Sequence, residues 1–104
     1  MEFSISRRNN KLYVKVNGEI DHHSCAPLRD CVDLEIKSGG VRELIFDFSK
    51  LTLMDSSGIG ILMGRYKLMK LCGGSVTVVG AESCIEKIMT LSGISDIIKI
   101  KKAR

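Results

Sequence analysis

Apolar and polar residues alternate strictly between Lys11 and Asn17: Leu12, Val14 and Val16 fall on one side, Tyr13 and Lys15 on the other. A period of two predicts a strand with one buried face and one face that is at least partly wet. Phe3 to Arg8 reads as the strand before it, joined through Asn9-Asn10, a pair that tolerates left-handed turn geometry. Glu43 to Phe48 repeats the pattern, with Leu44, Phe46 and Phe48 on one face and Asp47 on the other. Ser49 to Met54 is expected to be a connecting segment, and Ser75 to Val79 and Ile97 to Ile100 supply further strands.

Helical spacing appears three times between these runs. Ser24 is the expected N-cap of the first helix, because Pro27 is tolerated only in a first turn. That helix places Leu28, Cys31, Val32 and Ile36 inward and ends at Gly39-Gly40. The second runs from about Ser57 to Leu71 and stops at Gly73-Gly74. The third runs from about Glu82 to Leu91, with Gly93 beyond it. The order β-β-α-β-α-β-α-β predicts an α/β fold: a small mixed sheet with right-handed parallel crossovers and helices mainly on one face. Residues 1–104 form one domain, large enough for a single core.

The second helix departs from the usual single apolar stripe. Ile59, Leu62, Met63, Tyr66 and Met69 form one stripe; Ser57, Gly60, Ile61, Gly64, Leu68 and Leu71 form another. Two readings follow. Either both stripes are buried, or the second is partly open and receives a partner backbone over Gly60 and Gly64. Interior helix glycines cost about 0.5–1 kcal/mol relative to Ala, so two of them imply a packing reason. The helix opens on Asp55-Ser56-Ser57-Gly58. A hydroxyl there sits where free N–H groups and the helix dipole favour negative charge, so a phosphate would find a ready site. The plainer reading of Ser57 is a helix cap.

Composition removes several classes. The net charge of +4 comes from dispersed basic residues, densest at Lys99, Lys101, Lys102 and Arg104, which read as a solvated tail rather than a nucleic-acid site. Cys25, Cys31, Cys72 and Cys84 lack metal spacing and read as reduced thiols of a cytoplasmic protein. The charged, alternating N-terminus is unlike a signal peptide, and Arg65 interrupts the run Ile59 to Gly64, so no membrane span is expected. Gly58-Ile59-Gly60 with Gly64 misses the dinucleotide spacing by one residue and lies inside the helix. Asp21-His22-His23 diverge and have no further His to complete a metal site, so they read as a polar turn. Ser57 as a hydrolytic nucleophile would need His22 or His23 brought to it by the fold.

Two stretches carry a resemblance. Gly18-Glu19-Ile20-Asp21-His22-His23-Ser24, and Leu53 to Gly60 continued by Gly64-Arg65-Tyr66-Lys67, are similar to the anti-sigma factor antagonists of the STAS domain family, most of all its sporulation branch. The likeness covers essentially the whole chain. It implies a non-enzymatic domain without a cofactor or metal. Such a domain binds an anti-sigma factor that is also a serine kinase, and so releases a sigma factor for sporulation transcription. The kinase uses ATP to phosphorylate the second serine of the motif, which ends binding, and a serine phosphatase reverses the step. Carried onto this chain, the acceptor is Ser57, Ser56 is its neighbour, Asp55 and Gly58 flank it, and Asp21 with His22 lies in the partner-binding loop. Gly60, Ile61 and Gly64 complete the expected contact surface, on a chain that is monomeric when free. The alternatives are a STAS scaffold module in a larger assembly and a small serine hydrolase.

Overall fold

The computed structural model describes residues 1–102; Arg104, the last member of the basic cluster, lies outside the described residues. β1 (Glu2–Arg8) and β2 (Lys11–Ile20) form an antiparallel hairpin, with Asn9 turning in the left-handed region at φ 57°. From β2 onward every connection between strands runs through a helix. α1 (Cys25–Lys37) leads to β3 (Glu43–Met54), α2 (Ser56–Leu71) to β4 (Ser75–Val79), and α3 (Ser83–Ser92) with a 3-10 turn (Ile94–Asp96) to β5 (Lys99–Lys101). The strands lie in the order β1-β2-β3-β4-β5, with β2 to β5 parallel. The order never reverses, so this sheet lacks the switch point that makes a ligand crevice in doubly wound folds.

The alternation seen in the sequence sorts the sheet's two faces. Leu12, Val14, Val16, Leu44, Phe46, Phe48, Val76 and Val78 are buried beneath the helices. They meet Leu28, Val32 and Ile36 of α1, Leu62 and Met69 of α2, and Ile85 and Met89 of α3 in one core. The register puts Ser4, Ser6, Tyr13, Lys15, Asp47 and Thr77 on the other face, which no helix covers. Thr77 is nevertheless buried there, and its hydroxyl donates to Glu43 Oε2 at 3.1 Å.

Four expectations change. Ser49 to Met54 is the second half of β3, not a connector, because β2 continues through Ile20 and keeps pairing with it across two register shifts. Gly18, at φ 92°, lies at one of those irregularities. The last strand starts at Lys99, since Ile94 and Ile98 are drawn into the core through the 3-10 turn. Cys31 is exposed, because the inward stripe of α1 is carried by Leu28, Val32 and Ile36 at steps of four. Ser24 stands at the N-cap position, but its side chain caps nothing and donates instead to Asp21 Oδ1 at 2.8 Å.

Candidate functional site

β2 and β3 end side by side, with Ile20 opposite Met54, so the residues that follow them are neighbours. The Asp55 N–H donates to the Ile20 carbonyl at 3.2 Å and ties the start of α2 to the turn after β2. Two stretches more than thirty residues apart in sequence thus form one rim at the carboxyl ends of the parallel strands. Asp21 builds one half of it. Its Oδ1 accepts the N–H groups of His23 (3.0 Å) and Ser24 (2.9 Å) as well as the Ser24 hydroxyl. The Ser24 side-chain bond foremost, with the backbone bond from the same residue, holds the carboxyl below the usual aspartate range. Asp21 therefore shapes the turn, while His22 and His23 are exposed, their rings edge to face with centroids 5.5 Å apart.

Asp55 builds the other half. It is the N-cap of α2, in extended conformation, with Oδ1 accepting the Ser57 N–H at 2.8 Å. The helix starts at Ser56, one residue earlier than the sequence predicts, and the capping side chain is Asp55 rather than Ser57. Ser56 is exposed and Ser57 half-buried in the first turn, and the Ser57 hydroxyl takes part in no hydrogen bond among the described residues.

The second stripe of α2 divides. Gly60 is exposed, and a Cβ built at Gly60 or Gly64 meets nothing within 4 Å. Leu71, at the far end, is 85% exposed. Ser57, Gly60, Gly64, Lys67 and Leu71, at steps of three and four, make an open track leading from the serine down the helix. Ile61 belongs elsewhere: only 4% of it is exposed, because its direction on the helix wheel points into the core, so it is removed from the expected contact surface. Gly58 is buried too, and a Cβ there would collide with Cγ and Sδ of Met54. Its lack of a side chain serves the seating of α2 on β3, not an approaching partner.

Arg65 has a role that the sequence reading missed. Only 7% of it is exposed, and its Nε lies 2.8 Å from Asp33 Oδ1 on α1. Neither atom has an aligned hydrogen bond, so the contact is an ion pair at short range. Burial pushes the guanidinium pKa down, and Asp33 works against that. The pair fixes α2 against α1, and with it the direction in which the open track faces. A charged residue in the middle of an otherwise apolar helical run was the available signal for it. Among the described residues no cluster of three His, Cys, Asp or Glu side chains has the arrangement to hold a metal, and no helix is long and apolar enough to cross a membrane.

Comparison with known proteins places this architecture. The family profile of the STAS domain matches residues 2–104. The anti-sigma F factor antagonist of Paenibacillus polymyxa is 29% identical over 100 residues, covering 96% of this chain and 86% of that protein. The anti-sigma-B factor antagonist of Bacillus subtilis is 31% identical over 92% of this chain and 86% of its own length. Among solved structures, the anti-sigma factor antagonist SpoIIAA in its unphosphorylated form superimposes with a TM-score of 0.89 at 25% identity, covering 99% of this chain and 89% of that one. SpoIIAA in its phosphorylated form, from Bacillus, gives 0.81 at 25% identity, with 99% and 92% covered.

Proposed function

The chain belongs to the STAS domain family, and on that premise we propose that it is a phosphorylation-switched anti-anti-sigma factor. Unphosphorylated, it binds an anti-sigma factor that is also a serine kinase and thereby frees a sigma factor, here one serving sporulation transcription. Phosphorylation of Ser57 ends the binding, and a serine phosphatase restores it. The protein itself performs no catalysis and works in the cytoplasm; the ATP is the kinase's. The observation that carries this reading is the open track from Ser57 across Gly60 and Gly64. Each glycine costs the free helix stability and has nothing above it, so the vacant space is accounted for by a backbone that arrives from outside.

The switch follows from charge and volume. A phosphate adds about −1.5 to −2 charge at neutral pH and three acceptor oxygens. At the second residue of α2 the helix dipole favours that charge, whereas the Asp55 carboxylate, already on the Ser57 N–H, opposes it. The two local effects work against each other, so the core is expected to change little. The decisive effect falls on the contact surface, where a bulky, strongly hydrated anion stands at the head of the glycine track. SpoIIAA has been solved both without and with its phosphate, and both forms share this chain's fold, at TM-scores of 0.89 and 0.81.

The test is to incubate the protein with ATP and a cognate anti-sigma kinase and to map the phosphate by mass spectrometry. Label on Ser57 alone is expected. Label on Ser56 or elsewhere overturns the assignment. Ser57→Ala should stay bound to the kinase in the presence of ATP and Ser57→Asp should bind poorly; equal affinities would refute the charge-block mechanism.

A further inference from the structure

The sheet face away from the helices carries a hollow of about 430 Å³ whose lining includes Ser4, Ser6, Arg8, Tyr13, Lys15 and Asp47. The register explains it. Ser4 stands opposite Lys15 and Ser6 opposite Tyr13, so short side chains on β1 face long ones on β2 and leave volume unfilled. The volume falls in the range of small-molecule sites, about 300–1,000 Å³.

The chemistry of the lining is unspent. Lys15 and Asp47 are register partners on adjacent strands, yet they form no ion pair, and Arg8 has no carboxylate partner among the described residues. Two rows away on the same face, by contrast, Lys11 is paired with Glu43 at 3.8 Å. Asp47 uses Oδ1 on the Ser49 N–H at 2.9 Å, and its other oxygen takes no hydrogen bond among the described residues. The hydroxyls of Ser4, Ser6 and Tyr13 are likewise unengaged there. The hollow thus offers the unpaired cations Arg8 and Lys15, three hydroxyls, one half-free carboxylate and an aromatic ring; Arg7 also lines it but donates to the Glu35 carbonyl at 3.0 Å.

We propose that this hollow binds a small phosphorylated sugar or polyol. The Arg8 fork and the Lys15 ammonium match a phosphate group. The serine and tyrosine hydroxyls and Asp47 match the ligand's own hydroxyls, and the Tyr13 ring supports its carbon frame. A bare inorganic anion would leave Asp47 facing like charge, and a broad protein contact would leave the concave floor unfilled. The site is on the opposite face from α2, so it stands or falls independently of the Ser57 switch.

The test is a titration of the full chain, followed by amide chemical shifts, with glucose 6-phosphate, glucose and inorganic phosphate in separate runs. Glucose 6-phosphate at millimolar concentrations should move the amides of residues 4–8, 13–15 and 47 and bind about tenfold more tightly than either fragment. Ser6→Tyr, which fills the hollow but keeps both cations, and Lys15→Gln, which keeps the shape but removes a charge, should each weaken binding about tenfold. Ser57→Ala should leave it unchanged. The spectra report folding directly, and if Ser6→Tyr unfolds the protein, Lys15→Gln still decides. Absence of shifts, shifts centred on the start of α2, equal binding of inorganic phosphate, or indifference to Lys15→Gln would overturn the proposal.

Discussion

Gly58, Gly60 and Gly64 lie within two turns of one helix, and the same substitution should have opposite effects on them. None has a positive φ, so Ala is conformationally compatible at all three. At Gly60 and Gly64 the new methyl meets nothing within 4 Å, and only the backbone term operates. Replacing an interior helix glycine with alanine gains about 0.5–1 kcal/mol, so the double variant should be more stable by about 1–2 kcal/mol. For a domain near this size that is about 4–8 °C in Tm for each kcal/mol. At Gly58 the methyl enters the space of Met54, which is 2% exposed and belongs to the core. Overpacking of that kind typically costs about 1–3 kcal/mol, enough to exceed the propensity gain and leave the variant less stable than the parent. Urea denaturation of the three single variants and the Gly60/Gly64 double variant, with unchanged m-values, measures this directly. A Gly60→Ala or Gly64→Ala protein that loses stability would show that the track is internally packed. A Gly58→Ala protein that loses none would remove the seating role given to that residue. The free protein's gain should be the complex's loss: bulkier Gly60→Leu should weaken kinase binding without unfolding the chain.

Breaking the ion pair between the helices by Arg65→Ala should cost about 1–3 kcal/mol in denaturant titration, below the ~3–5 kcal/mol of a fully enclosed pair because Asp33 is 22% exposed. Asp33→Ala in the same background should then cost little more, and fully additive losses would deny the coupling. Asp55→Ala removes the cap of α2 and should cost about 0.5–2 kcal/mol, with Asp55→Asn retaining most of it; equal losses would show that the cap hydrogen bond is not what matters. Asp21 has its folded pKa depressed, so its contribution to stability is complete above the ordinary aspartate range and fades as pH falls through the lower folded value. Titrating its carboxyl signal by NMR should give a midpoint below that of an unstructured aspartate, and a midpoint at or above it would refute the turn geometry.

Much was legible in the sequence because it is local. The period of two in Lys11–Asn17 and Glu43–Phe48 sets which side of each strand is apolar. Pro27, Gly39-Gly40 and Gly73-Gly74 bound two of the helices near their observed limits. The motif Asp55-Ser56-Ser57-Gly58 marked the start of α2, and its likeness to a family pointed to Ser57. Tertiary structure decided what depends on neighbours distant in the chain. Ser49 to Met54 carries no clean alternation, and it is a strand because β2 lies beside it and supplies hydrogen-bond partners across two irregularities. On a helical wheel Gly60 and Ile61 are both candidates for a glycine-lined contact face, and the family likeness adds Gly58. Only the positions of Met54 and of the core show that Gly58 and Ile61 turn inward while Gly60 stays open. Arg65 reads in sequence as an interruption of an apolar run; Asp33, thirty-two residues away on another helix, makes it a cross-brace. Backbone preference and periodicity are written in adjacent residues, whereas which face is covered, and what a buried charge meets, exist only once the elements have packed.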